Sequence, residues 1–112
     1  MNEKELCKAA IDAMKNAYVP YSGYRVGAAL MTEDGKLFTG CNIENAAYSP
    51  TVCAERVAML RAIYEGEREF DALAIVWDGD TPAVPCGVCR QVLSEFCDGE
   101  MPIICANRKG EY

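Results

Sequence analysis

Three cysteines stand in two short motifs, and each motif falls where a helix is predicted to begin. The first motif is C-A-E-R at residues 53–56, and the second is P-C-G-V-C-R at residues 85–90. Cys86 and Cys89 are three residues apart, so both sulfurs can reach one ion from a single helical turn while Cys53 approaches from the other helix. A fold that uses all three thiols must bring two helix N-termini to one point.

The apolar periodicity of the first half predicts a helix followed by a hairpin. The helix begins behind an N-cap at Asn2 and ends before Pro20. One strand runs from Val26 to a turn at 33–36, and a second strand covers residues 37–43. Residues 44–52 are predicted to form a loop that leads to the first cysteine motif.

The second half is predicted to alternate helices and strands. In order these are a helix over 53–65 that carries Val57, Leu60 and Tyr64 on one face, a strand over 72–77, a helix over 86–97 and a strand over 102–106. A strand–helix–strand order is typical of a parallel βαβ unit. We therefore predict a single α/β domain over residues 1–112, with a mixed sheet of four to five strands flanked by helices. In open sheets of this kind, ligands bind at the carboxyl ends of the strands.

The composition excludes several kinds of function. The chain has no histidine, so a Ser-His-Asp triad, an imidazole ligand and an imidazole base are ruled out. A formal charge of −6 disfavours a nucleic acid polymer as partner. No apolar run approaches the roughly 20 residues of a membrane span, and no leader peptide is recognised, so we expect a cytoplasmic protein with no membrane partner. Seven cysteines is an odd number, which favours metal binding over a disulfide framework.

The two motifs together predict a hydrolytic metal site. Cys53, Cys86 and Cys89 supply three ligands, whereas structural zinc normally takes four, and the open position of a catalytic zinc holds water. Glu55 lies two residues after Cys53, close enough to move protons beside the metal. Three thiolates on one divalent cation leave a negative centre, and Arg56 and Arg90 are placed to draw charge from the sulfurs.

Other interpretations of these residues stay open. The C-x-x-C pair is also found in thioredoxin-like redox sites, although such a site needs neither Cys53 nor Glu55. A purely structural zinc module would need Cys41, Cys97 or Cys105 as a fourth ligand. Arg56 and Arg90 are also consistent with solvated helix charges.

The chain resembles the small zinc-dependent cytidine deaminases from about residue 5 to residue 108. The motifs that carry this resemblance are Y-S at 21–22, V-G-A-A at 26–29, N-I-E-N-A at 42–46, C-A-E-R at 53–56 and P-C-G-V-C-R-Q at 85–91. The resemblance implies a three-layer fold and one zinc ion per chain, held by Cys53, Cys86 and Cys89. It also implies that Glu55 takes a proton from the attacking water, protonates ring N3 and later protonates the leaving ammonia.

The same resemblance implies the substrate contacts. Asn42 and Glu44 would hold the ribose hydroxyls, Ala54 would offer its backbone to the pyrimidine, and the ring would pack near Tyr24, where the family usually has Phe. From the residues alone, Asn42 and Glu44 are equally consistent with organising a strand end, and Tyr24 with a place in the core.

We therefore expect conversion of cytidine or 2′-deoxycytidine to the uridine product plus ammonia, in pyrimidine salvage, by a homo-oligomer. The resemblance implies a tetramer, and a dimer stays open. The alternatives are a deaminase of an N4-substituted cytosine nucleoside or of a blasticidin-like analogue, and a structural zinc module without turnover.

One departure from the family lies at the end of the sequence. Small cytidine deaminases generally continue through a fifth strand and a C-terminal helix, whose aromatic residue helps to close a neighbouring subunit's site, whereas this sequence ends at Tyr112. We expect an uncovered strand edge at 102–106. We also expect a roomier pocket, which would admit cytosines that carry a substituent on N4.

Overall fold

The computed structural model describes residues 2–84 and 87–112, and in these two segments helices and strands follow the predicted order. In chain order they are α1 (Glu3–Met14), β1 (Val26–Thr32), β2 (Leu37–Cys41), α2 (Ala54–Tyr64), β3 (Phe70–Trp77), α3 (Gly87–Phe96) and β4 (Ile103–Ala106). In these segments no helix is both long enough and apolar enough to cross a membrane.

The four strands form one mixed sheet in the order β2-β1-β3-β4. β1 is antiparallel to both β2 and β3, while β3 and β4 are parallel and are joined through α3. The mixed sheet of four strands and the parallel βαβ unit confirm the predicted α/β class.

Alternate residues of β1 and β3 divide the core into two layers, one on each face of the sheet. Ala29, Met31, Ala74 and Val76 pack with α1 on one face. The residues between them on the same strands, including Ala28, Leu30, Leu73 and Ile75, pack with α2 and α3 on the other face. This alternation follows from the twofold side-chain period of a strand, and it produces three layers.

α1 begins where the sequence predicts. Asn2 and Glu5 form a capping box, in which the Glu5 amide donates to Asn2 Oδ1 at 2.8 Å. The helix ends at Met14, ahead of Pro20, with Lys15 as its C-cap. It lies close to β1 at Gly27, where a Cβ atom would sit 1.9 Å from the Ala10 carbonyl oxygen.

β2 is shorter than predicted, and it ends at Cys41 instead of Ile43. Ile43 lies beyond the pairing of β2 with β1. It exchanges both backbone hydrogen bonds with Val52, each at 2.9 Å, in an isolated bridge. This bridge closes the loop before α2 and returns the chain to the sheet. The position of the first cysteine motif is therefore tied to the end of β2.

α2 buries a face of small side chains. Ala54, Ala58 and Ala62 are fully buried, and Gly40 of β2 lies against the helix backbone, since a Cβ there would be 2.6 Å from Ala54 O. The predicted face of Val57, Leu60 and Tyr64 is turned outward instead, with 49% of Leu60 and 87% of Tyr64 exposed. These three side chains, together with Phe38 and Ile43, line an open apolar groove of about 730 Å³.

Candidate active site

The first turn of α2 faces a cavity of about 400 Å³ beside the carboxyl end of β3. The start of β1, the residue after β2 and the segment that follows β3 also line the cavity. The described lining residues are Val26, Asn42, Thr51, Cys53, Ala54, Glu55, Ile75, Trp77, Thr81, Pro82, Ala83 and Val84. The volume falls within the range of small-molecule sites.

The structure brings Cys53 and Cys89 together around the guanidinium of Arg56. Cys53 is the N-cap of α2, and Cys89 is fully buried in the first turn of α3. Arg56 Nη2 lies 3.5 Å from Cys53 Sγ and donates to the Thr51 carbonyl at 3.2 Å. A hydrogen bond to Cys53 raises the pKa of Arg56, and partial burial opposes this rise. A hydrogen bond to Cys89 raises the pKa further. The third predicted ligand, Cys86, lies outside the described residues.

Glu55 is 3% exposed and lines the cavity. Burial raises the pKa of its carboxyl above the ordinary 4.5, although hydrogen bonds from its own backbone amide and from the Cys89 side chain oppose the shift. The charge of Cys53 raises the pKa further, and the charge of Arg56 lowers it. A carboxyl with a raised pKa in a cavity is a candidate for accepting and releasing protons in a reaction.

Asn42 and Glu44 hold the segment that leads into β1. Asn42 Oδ1 accepts from the Val26 amide at 2.9 Å, and Asn42 Nδ2 donates to the Tyr24 carbonyl at 2.8 Å. Glu44 Oε1 accepts from the amides of Tyr21 and Ser22, each at 3.1 Å, and Oε2 accepts from the Ser22 hydroxyl. Asn42 lines the cavity, whereas Glu44 is not among its described lining residues.

Tyr24 is not among the described residues that line the cavity. Trp77, which the sequence analysis did not select, is the aromatic residue in that lining. Tyr24 is 62% exposed, and its ring meets that of Trp77 edge to face, with centroids 6.0 Å apart and planes at 62°. Trp77 itself lines the cavity. The available signal was its position as the last residue of a strand next to the second cysteine motif, where ligands bind in open sheets.

Two chain segments are joined beside Trp77, which lines the cavity, and we call residues 24–25 and 77–78 the rim. Arg25 Nη2 lies 3.0 Å from Asp78 Oδ2, and the Asp78 amide donates to the Arg25 carbonyl at 2.9 Å. The Tyr24–Trp77 ring contact lies beside this ion pair.

Of the other two predicted site residues, Arg90 is exposed and Ala54 is buried. Arg90 is exposed on α3, and its charge lowers the pKa of Cys105, which burial and the charge of Glu55 raise. Ala54 is fully buried and lines the cavity beside Glu55.

Cys41, Cys97 and Cys105 are partly buried, and this burial raises the pKa of each thiol. Within residues 2–84 and 87–112, no three cysteine or acidic side chains are grouped so that they could hold a metal ion. None of these three cysteines therefore completes a metal group with Cys53 and Cys89 in that part of the chain.

Comparison with known proteins identifies close relatives. Residues 1–105 match the family described as the cytidine and deoxycytidylate deaminase zinc-binding region. The chain is 52% identical over 111 residues to a cytidine deaminase of Sporosarcina psychrophila, covering 99% of this chain and 82% of the relative. It is 47% identical over 111 residues to a cytidine deaminase of Halalkalibacterium halodurans, covering 99% and 84%. A crystal structure of cytidine deaminase from Burkholderia pseudomallei, 45% identical, superposes with a TM-score of 0.95 over 99% of this chain and 89% of that one.

Proposed function

Because this chain belongs to the family of cytidine and deoxycytidylate deaminases, we propose that it hydrolyses cytidine or 2′-deoxycytidine to the corresponding uridine and ammonia. One observation carries this proposal. The buried carboxyl of Glu55 lies next to Cys89 and shares a cavity with Cys53, where a small heterocycle has room to bind. We place the reaction in pyrimidine salvage, since the substrate is a free nucleoside.

The residues at the site fit a zinc ion. Cys53 and Cys89 supply soft sulfur donors, and Cys86 is the third by sequence. Arg56 Nε is buried with no acceptor among the described residues, although its Nη2 reaches sulfur and a carbonyl. A guanidinium held in this way is stabilised when the sulfurs are thiolates, as they are when they bind a metal. We propose one zinc ion per chain, held by Cys53, Cys86 and Cys89.

Glu55 moves the protons of the reaction. A zinc ion at the three cysteines would lower the pKa of a water molecule. Glu55 takes one proton from the attacking water and passes it to N3 of the ring, which makes C4 more electrophilic. Oxygen bonds to C4, and Glu55 then moves the second proton to the amino group, so that the C4–N4 bond breaks and ammonia leaves. Overall, one nucleoside and one water molecule are converted to one uridine product and one ammonia.

Asn42, Glu44 and Ala54 are the proposed binding residues. The backbone contacts of Asn42 fix its side chain at the cavity wall, in reach of a ribose hydroxyl. Glu44 accepts three hydrogen bonds, and a carboxylate has lone pairs for one more. The backbone of Ala54 lies beside Glu55, where it can meet the pyrimidine. Arg56 is the proposed charge partner of the thiolates, and for Arg90 we keep the sequence-based role as a prediction.

We also propose that the protein is a homo-oligomer. The groove formed by Val57, Leu60 and Tyr64 leaves a large apolar surface exposed, as at many protein interfaces. Light scattering coupled to size exclusion would measure the mass and separate monomer, dimer and tetramer. A cytoplasmic location is supported by the thiolate chemistry, because a reducing compartment keeps such cysteines available for metal.

The deciding experiment measures the loss of cytidine and deoxycytidine absorbance in the parent and in Glu55→Gln, with zinc content determined for both. We expect kcat of Glu55→Gln to fall about 10²- to 10⁴-fold with zinc retained. Glu95→Gln is the matched control, because Glu95 is exposed on α3, and it should keep parental activity. A zinc-loaded parent that releases no ammonia from either nucleoside would overturn the proposal.

A further inference from the structure

Trp77 is the one aromatic side chain among the described residues that line the cavity. It ends β3, while Cys53 and Glu55 enter the same cavity from the first turn of α2. Ile75 precedes it along the strand and adds apolar surface to the lining. A flat heterocycle whose reacting carbon faces Glu55 therefore shares a small space with an indole ring.

Three contacts fix the plane of that indole. Trp77 Nε1 donates to the Thr81 carbonyl, so the ring holds the segment that follows β3. The ring also lies directly on the backbone of Gly79, where a Cβ atom would be 2.1 Å from Trp77 Cζ2. Tyr24 meets the ring edge to face from outside. Because the ring is already ordered, a ligand that packs on it loses little side-chain entropy.

We propose that Trp77 is a specificity-determining residue, whose indole packs against the base of the nucleoside and limits the size of base that the cavity admits. Tyr24 is then a positioning residue, because it reaches the substrate through Trp77. This inference rests on the deaminase function proposed above and deepens it.

The first test is a binding measurement that needs no turnover. Trp77 is the only tryptophan in the sequence, so indole emission reports on this one ring. Uridine, the product, is added to the zinc-loaded parent, with excitation at the red edge of indole absorption, where nucleosides absorb little. We expect a saturable change in emission, since the base packs on the fluorophore.

The possible results separate the two proposals. Cytidine turnover with no change in Trp77 emission at saturating uridine would overturn the role of Trp77 and leave the deaminase function standing. A saturable emission change without turnover would support the packing of Trp77 on the base. It would overturn the proposed deaminase function and leave the role of Trp77 standing.

The second test measures KM and kcat for cytidine separately in variants of the two aromatic residues. Trp77→Ala should raise KM for cytidine about tenfold, with a smaller change in kcat, because stacking is lost in ground state and transition state alike. It should also turn over cytidines with a bulky group on ring carbon 5 better than the parent does. Trp77→Phe keeps an aromatic face and should retain most of the affinity, and Tyr24→Leu should raise KM several-fold. Tyr112→Leu, at an exposed tyrosine away from the cavity, is the control.

Circular dichroism and zinc content show which variants are folded before their kinetics are compared. If Trp77→Ala does not fold, Trp77→Phe and the emission titration of the parent decide. A folded, zinc-loaded Trp77→Ala with the parental KM and the parental range of substrates would contradict the inference.

Discussion

The guanidinium nitrogen Nη2 of Arg56 lies 3.5 Å from the sulfur of Cys53, one helical turn earlier along α2. The same side chain hydrogen-bonds to Cys89, so one cation contacts two of the three candidate ligands. This places a positive charge where three thiolates on one metal would otherwise build up excess negative charge.

Replacing Arg56 by Gln should lower kcat/KM for cytidine about 10- to 100-fold, or weaken zinc binding by a similar factor, because outer partners of metal ligands have effects of this size. Kinetics and zinc titration against a chelator measure the two effects separately. Arg68→Gln, at an exposed arginine whose side chain donates to the backbone carbonyls of Ile63 and Glu67, should behave as the parent. Unchanged kinetics and zinc affinity in Arg56→Gln would contradict a role for this charge.

The choice of ligands can be tested by single Cys→Ser substitutions. We expect Cys53→Ser and Cys89→Ser to lose zinc at concentrations where the parent holds one ion per chain, because serine is a poor ligand for zinc. Cys41→Ser, Cys97→Ser and Cys105→Ser should keep it. Zinc per chain is read by mass spectrometry after gel filtration. Loss of zinc from one of the latter three would instead favour a closed structural site.

The close approach of α2 to β2 makes a prediction about stability. A methyl group at Gly40 would lie 2.6 Å from both Ala54 O and Ala58 N, which are backbone atoms that cannot rotate away. Gly40→Ala should therefore lower the free energy of unfolding by about 1–3 kcal/mol, as overpacking in a core does. Denaturant titration measures it. Gly99→Ala adds its methyl in open space and serves as the matched substitution, so an equal loss in both would refute the packing argument.

The hydrogen bonds of Glu44 predict a pH dependence. The Ser22 side chain, together with the amides of Ser22 and Tyr21, lowers the pKa of Glu44 below its ordinary 4.5, although partial desolvation opposes this. The ionised form therefore stabilises the folded state above pH 4.5, and this contribution is lost as the pH falls through the lower folded pKa.

Glu44→Gln should consequently melt at a lower temperature than the parent at neutral pH, and the two melting temperatures should converge in acid. Thermal unfolding across this pH range, with Glu95→Gln as the control at an exposed carboxyl, measures the difference. A gap between parent and Glu44→Gln that stays constant with pH would argue against an ionised, hydrogen-bonded Glu44.

The sequence predicted the elements well because strong local signals mark them. Asn2 and Glu5 specify the start of α1, and the motif at 53–56 marks the start of α2 within one residue. The buried face of α2 was not identified. Leu60 and Tyr64 are larger than Ala58, so periodicity selects them, yet Gly40 of β2 lies against the helix backbone at Ala54 and Ala58, where small side chains fit.

The sequence brings candidate residues together where the signal is local, but it does not show which aromatic side chain lines the cavity, because that depends on tertiary packing. Cys53, Glu55 and Arg56 share one helical turn, so their proximity to each other follows from sequence spacing. That Trp77 rather than Tyr24 lines the cavity depends on the antiparallel pairing of Val26 with Trp77, which sets the two strand ends side by side. No spacing within either segment encodes that pairing.

The rim has a mechanical consequence. Tyr24 and Arg25 enter β1, whereas Trp77 and Asp78 leave β3, and ring contact, ion pair and backbone hydrogen bond join the two segments. Neither segment can move without carrying the other or breaking all three contacts together. The two segments should therefore open together, and the amides of both should exchange their hydrogens at a common rate.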